Sequence, residues 1–348
     1  MLPITIGQIE NALASLPRTP LAYLPTPLDE APRLTQALGG PRILIKRDDL
    51  TGLALGGNKA RKLEFLMADA LAQGADCIVT SAAAQSNIVR SISAAAAKLG
   101  LEMFAVLRGE KEKEEIQGNL LLDYLFGAKV IFINTLDPYS QLSSDTMESI
   151  KADLQAKGRR PYIIDGRYQS APLAAVSFVA ATIELQCQLE QMNAKPTHVF
   201  LSTGSGTTQA GICLGTMLLG ASYDVVGISV QKPIDFIAPR ISEKATSAAA
   251  LLGLRLDMPG EHVIVDDGYI GDSYGVPTAG GIEAMKMIAR TEGLIVDPVY
   301  TSKGLSGLIG WVRQGKLKDE DTVVFWHTGG VPALFAKSRA LEKDLLTE

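Results

Sequence analysis

Apolar residues in this chain fall into two kinds of run that alternate. Short, nearly unbroken runs rich in Val, Ile and Phe recur as RILIKRD, DCIVTSA, EMFAVLRG, KVIFINT, THVFLSTG, DVVGISV and TVVFWHTGG. Their length and β-branched content predict buried strands. Between them stand longer segments with a helical pattern: KLEFLMADALAQG closing at Gly74, NIVRSISAAAAKLG closing at Gly100, GNLLLDYLFGA, and GICLGTMLLG. Apolar strands separated by helices are the pattern of a mainly parallel sheet covered on both faces, so the fold class is α/β. No repeat, low-complexity tract or Pro/Gly/Ser-rich linker breaks the pattern, and any domain division must therefore be compact.

Composition narrows the function more than the fold. With 348 residues the chain holds two domains or one large one, and 47% hydrophobic against 20% charged residues permits a large core. The formal charge of −5, without a long basic run, gives nucleic-acid binding little electrostatic support. Cys77, Cys187 and Cys213 form no CxxC, and His198, His262 and His327 show no ligand spacing. Neither a disulfide framework nor a metal site is expected. The start MLPITIGQIENAL has no basic leader and carries Glu10 early, so no secretory signal is expected. APLAAVSFVAATIEL is interrupted by Ser177, Thr182 and Glu184, and it reads as too short for a bilayer, which needs about 20 apolar residues. The expectation is a soluble, cytoplasmic protein.

Ligands of open parallel sheets bind where strands give way to helices at their carboxyl ends, and five segments there are chemically unusual. STGSGTTQAGICLG (202–215) frees its backbone with glycines just before a helix, which makes either a phosphate cradle or a plain Gly/Ser turn. It is no Walker loop, and Gln209 stands where a dinucleotide fingerprint would have its third glycine. In SAAAQSNIVRS (81–91), Gln85, Ser86 and Asn87 emerge at a helix start, as caps or as carboxylate binders. YGVPTAGGIEAM and ARTEGLIVDPVYTSKGLSGL carry Tyr274 and Tyr300 in loops stiffened by Pro277 and Pro298; each tyrosine is a packing residue or a catalyst. LGGNKARKLEFLMADAL (55–71) sets glycines before Lys59 and then starts a helix at its unfavourable end for a cation. A lysine for amine chemistry together with a glycine-rich phosphate cradle is what pyridoxal phosphate requires.

The motifs LPTPL, IKRDDLTGLALGGNKARKLEFL, QSN, TGSGTTQAG, YGVP, ARTEGLIVDPVYTSK and HTGGVPALFA, in this order, resemble the D-cysteine desulfhydrase and 1-aminocyclopropane-1-carboxylate (ACC) deaminase family. These are pyridoxal-phosphate enzymes of the tryptophan-synthase-β fold type, fold type II, and the likeness runs from about Leu24 to about Ala336. The resemblance implies two open twisted, mainly parallel sheets flanked by helices. It implies a discontinuous large domain, 1–60 plus 172–348, a small domain at 61–171, and a homodimer. Lys59 would be the Schiff-base lysine and general base. Lys62, Ser205, Gly206, Thr207 and Thr208 would hold the phosphate, and Asn87 the ring oxygen. Ser86 would meet the substrate carboxylate or move a proton. Ile88, Tyr274 and Tyr300 would line the substrate side, with a tyrosine protonating the leaving group. Thr301 stands where deaminase members carry a glutamate beside the pyridine nitrogen. A neutral hydroxyl there favours β-elimination over ring opening, with D-cysteine as first substrate.

Three features depart from the family pattern, one being the alanines of TSAAAQSN where relatives approach QSN through glycines, which would tighten the site. Ile88 follows QSN where desulfhydrase-type relatives usually have histidine, which removes a polar contact near the substrate. Arg167 and Tyr168 intrude into IIDGRYQSAPLAA, where relatives have a small GGS-like turn. Arg167 is either a solvated loop residue or a binder of a second anionic group, such as the sulfonate of cysteate. A fold that binds without catalysing is the remaining alternative.

Overall fold

A computed structural model describes residues 4–165 and 169–346. Among the described residues, ten strands build two sheets. The larger holds β1 (Leu28–Glu30), β2 (Arg42–Arg47), β7 (His198–Thr203), β8 (Asp224–Ser229), β9 (Ile264–Asp266) and β10 (Thr322–His327), in the order β1-β2-β10-β7-β8-β9. The smaller holds β3 (Cys77–Ala83), β4 (Glu102–Arg108), β5 (Lys129–Ile133) and β6 (Pro161–Ile164), in the order β5-β4-β3-β6. Every pairing is parallel except β1 with β2.

Alternation along each strand explains why both faces are covered. In the larger sheet Leu44, Val199, Leu201, Val324 and Trp326 point to one core, while Ile43, Ile45, Phe200, Val323 and Phe325 point to another. The first core is closed by α1 (Ile6–Ala14), α7 (Ala171–Gln191), α8 (Thr207–Leu219) and α9 (Ile234–Leu251). The second is closed by α2 (Pro32–Leu38), α10 (Ala279–Glu292), α11 (Thr301–Arg313), and the terminal α12 (Pro332–Ala336) and α13 (Ser338–Leu346). The smaller sheet packs α3 (Lys59–Ala72), α4 (Asn87–Leu99) and α5 (Gly118–Leu125) on one face and α6 (Gln141–Ala156) on the other.

The apolar run around Val176 belongs to a longer helix than its sequence suggests. α7 has 21 residues and is, by length and composition, long and apolar enough to cross a bilayer, which corrects the expectation that it is too short. Here it is the central helix of the larger unit, packed on α8, α3 and α9. Its Glu184 closes a buried ion cluster. Lys46 Nζ lies 2.5 Å from Glu184, and Arg61 Nη2 lies 2.8 Å from both Glu184 and Asp48. That cluster ties β2 and α7 to the first turn of α3.

Candidate active site

The carboxyl ends of β3, β4, β6, β7 and β10 border a cavity of about 500 Å³ whose walls come from both sheets. That is the size of a typical small-molecule site. Lys59, Lys62, Ser86, Asn87, Ile88, Ser205, Gly206, Thr207, Thr208, Tyr274 and Tyr300 all line it.

The turn before Lys59 is held from several sides. Gly57 N donates to Asp48 O at 2.9 Å, Thr51 Oγ1 donates to Gly57 O at 2.8 Å, and Asn58 N donates to Thr328 O at 3.1 Å. The Arg90 guanidinium donates to the carbonyls of Ala54 and Gly56. Gly56 has φ +69°, and a Cβ there would sit 1.8 Å from Asp49 O, so no larger residue fits. Ala54 and Leu55 also take positive φ, a strain the surrounding bonds must hold. The result is Lys59 as the first residue of α3, at the cavity wall. Burial, then the nearby charge of Arg90, lowers its pKa to about 8, with Asp297 opposing.

Lys62 lies one helical turn further on, its ammonium 5.5 Å from the centre of the Phe178 ring. Burial drives its pKa well down, and so do Lys59 and Lys244. Lys244 comes from α9, donates to the Ser205 carbonyl, and is lowered to about 8 by burial and Arg240. Lys62 thus lies within electrostatic reach of Lys59 and Lys244, and Lys244 is tied to the residue two places before α8 begins. Gly206 is the residue before α8, with φ +79°, and a Cβ on it would lie 2.5 Å from Ile241 Cγ1. Ser205 Oγ and Thr207 Oγ1 lie 3.2 Å apart, and Thr208 Oγ1 accepts from Asn58 Nδ2 at 3.0 Å. Lysine side chains close to a helix start suit a phosphate dianion. The residues present therefore suit the phosphate and the reactive lysine of a pyridoxal-phosphate site.

Also on the cavity wall, Ser86 precedes α4, but its hydroxyl caps no backbone amide there, so the capping alternative is not realised. Asn87 accepts from Asn119 Nδ2 at 2.9 Å. Ile88 packs partly on the core of the smaller sheet. The hydroxyls of Tyr274 and Tyr300 are 2.5 Å apart, their rings meeting edge to face at 5.9 Å. Burial raises both pKa values, Tyr300 further because Tyr274 and Asp297 stand beside it. Both are therefore neutral phenols near neutral pH, each holding its proton.

Thr301 is fully buried behind Tyr300 and is not part of the cavity wall. Its Oγ1 donates to Asp297 Oδ1 at 2.7 Å and accepts from Asp297 N at 2.7 Å. The Asp297 carboxylate also accepts from the amides of Val299, Tyr300 and Thr301, each at 2.9 Å. Arg167 and Tyr168 lie outside the described residues. Sequence reasoning missed Asn58, Arg90, Arg108, Asn119, Lys244 and Asp297. Asn58 and Asp297 sit inside the GGNK and DPVY motifs, which were the available signal. Lys244 lies in an alanine-rich helix with none.

A lysine and a glycine-turned helix start that line one cavity between two mainly parallel sheets are the arrangement of a cofactor enzyme. Residues 19–329 match the family described as pyridoxal-phosphate dependent enzyme, and the chain belongs to that family. Among curated relatives it is 40% identical, over 93% of its length and 97% of theirs, to D-cysteine desulfhydrase of Klebsiella pneumoniae subsp. pneumoniae. It is 39% identical to D-cysteine desulfhydrase of Yersinia pseudotuberculosis serotype O:1b, covering 94% and 98% of the two chains. A crystal structure of an ACC deaminase homologue superposes with a TM-score of 0.88 at 34% identity, over 97% of this chain and 99% of that one.

Proposed function

We propose that this protein is a pyridoxal-phosphate-dependent carbon–sulfur lyase that converts D-cysteine and water to pyruvate, hydrogen sulfide and ammonia. The observation that carries the reading is that Lys62 lies within electrostatic reach of both Lys59 and Lys244, which donates to the Ser205 carbonyl just before α8, beside a cavity that Lys59, Ser86 and the tyrosine pair line. The curated relatives named D-cysteine desulfhydrase support the substrate.

Lys62, Lys244 and residues 205–208 would hold the phosphate, Lys59 the aldehyde carbon, and Asn87 the ring oxygen. Bound there, pyridoxal phosphate supplies an electron sink that acidifies the Cα–H of an amino acid attached through its amine. The Lys59 amine, uncharged more readily than an ordinary lysine, takes the Cα proton. Ser86 and the amides at the start of α4 hold the substrate carboxylate. The Tyr274–Tyr300 pair gives a proton to the departing sulfur. Thr301 is neutral, lies behind the wall and commits its proton to Asp297, so it brings no carboxylate to the pyridine side.

Arg108, buried at the end of β4 and on the cavity wall, favours a second reading in which the β-substituent is anionic, such as the sulfonate of cysteate. The deciding experiment is release of sulfide and pyruvate from D-cysteine by the cofactor-loaded protein, with L-cysteine, cysteate and ACC alongside. Sulfide from D-cysteine supports the proposal. Sulfite from cysteate alone supports the second reading, and 2-oxobutyrate from ACC overturns both in favour of ring opening.

The proposal extends to assembly and place. It includes a large unit, 1–60 with 172–348, a small unit, 61–171, and a homodimer acting in the cytoplasm. Exposed Leu121 and Leu125 on α5 and Phe335 on α12, two helices in contact, support a dimer face. The three free cysteines agree with a reducing compartment. Sedimentation equilibrium and cell fractionation test these two points.

A further inference from the structure

We infer that Asn119 is a positioning residue, which turns the amide of Asn87 so that its NH₂ end, and not its oxygen, faces the cavity. Asn119 lies in the first turn of α5 and is fully buried. Its Nδ2 lies 3.0 Å from the main-chain oxygen of Gln85 and 2.9 Å from Oδ1 of Asn87. A main-chain carbonyl only accepts, so the Asn119 atom must be the NH₂ group. That same group donates to Asn87, so the Asn87 atom facing it must be the oxygen. The other end of the Asn87 amide, a donor, is thereby committed to the cavity side.

The lock is braced twice more. Asn119 N donates to Gln85 Oε1 at 2.9 Å, and Gln85 Nε2 donates to Gln117 O at 3.0 Å. The start of α5 and the loop that presents Ser86 and Asn87 are therefore one hydrogen-bonded unit, although 32 positions separate the two asparagines. A donor at this place suits an anionic oxygen, and an acceptor would repel it. The inference rests on the reading that Asn87 meets the ring oxygen of pyridoxal phosphate. Without Asn119, the Asn87 amide is free to present either end.

The test uses cofactor-loaded protein and N119L, N87A and the double variant. N119A is a second substitution in case leucine is not accommodated. Two quantities are read: the pH midpoint of the visible absorption band of the bound cofactor, and the cofactor dissociation constant by fluorescence titration. A donor to the ring oxygen weakens that oxygen's hold on the neighbouring proton, so its loss raises the midpoint. N119L or N119A should raise the midpoint in the same direction as N87A. The dissociation constant should rise roughly tenfold, the worth of one hydrogen bond to a charged group. In the N87A background the second substitution should leave the midpoint where N87A put it. An unmoved midpoint in N119L and N119A, with N87A shifted, overturns the role of Asn119 and keeps the reading of Asn87. Equal shifts in both backgrounds also overturn it, as a general structural effect. An unmoved midpoint in N87A itself overturns both.

Discussion

The Lys59 amine should titrate far below an ordinary lysine, and its protonation can be measured without turnover. Burial and the charge of Arg90 bring its pKa to about 8, while Asp297 pulls the other way. At pH 7 roughly one Lys59 amine in ten is then uncharged, against about three in ten thousand for a lysine at its usual value. The reactive fraction rises roughly 300-fold, equivalent to about 3 kcal/mol against the protonated form. Trace labelling of cofactor-free protein with an acylating reagent across a pH series, read by peptide mass spectrometry, gives the midpoint directly. Wild type should bend near pH 8. Asp297→Asn removes the charge that favours the ammonium and should move the midpoint down. Arg90→Met removes a repelling charge and should move it up. Labelling of Lys59 that rises only with the bulk lysines, near pH 10, would refute the electrostatic account, as would shifts of the wrong sign in both variants.

Other outcomes follow from single contacts. Lys59→Ala should abolish turnover while leaving the fold, checked by pyruvate release and circular dichroism. Gly206→Ala must place a Cβ against Ile241 at positive φ, so the phosphate cradle should distort and cofactor affinity should fall at least tenfold by equilibrium dialysis. Tyr274→Phe breaks the phenol pair and should lower kcat on the order of 10²-fold with KM nearly kept, if it carries the leaving-group proton. Glu184→Gln leaves Lys46 and Arg61 with one carboxylate fewer in a buried cluster, and should cost about 3 kcal/mol, or roughly 4 °C in Tm for a chain of this length. The folded pKa of Glu184 is held down at about 2, below its unfolded value, by Arg61 and Lys46 against the cost of burial. Its contribution is complete above the unfolded pKa near 4.3. It disappears as pH falls toward 2, so the variant and wild type should converge in acid unfolding curves.

What the sequence determined was local. Continuous apolar runs made β2, β3, β4, β5, β7, β8 and β10 legible, because a strand buried on both faces cannot afford polar positions. GGNK and TGSGTT were legible because their geometry depends on consecutive backbone atoms: a turn that only glycine can make, and the amides of one helix start. The resemblance carried by those motifs reached the family. Three things depended on the assembled fold. Strand β10 inserts between β2 and β7, and no spacing in the chain marks that order. The length and burial of α7 were set by the helices around it. The electrostatics of the site were set by Arg90, Lys244 and Asp297, drawn from segments 31 to 238 positions from Lys59. Asn119 makes the same point: it was an ordinary polar residue in the sequence, and its partners decided which way it faces. Hydrophobic patterning is written along the chain because burial acts on each residue separately. Charge balance and hydrogen-bond direction are properties of groups that meet only after folding, so the tertiary structure alone decides them.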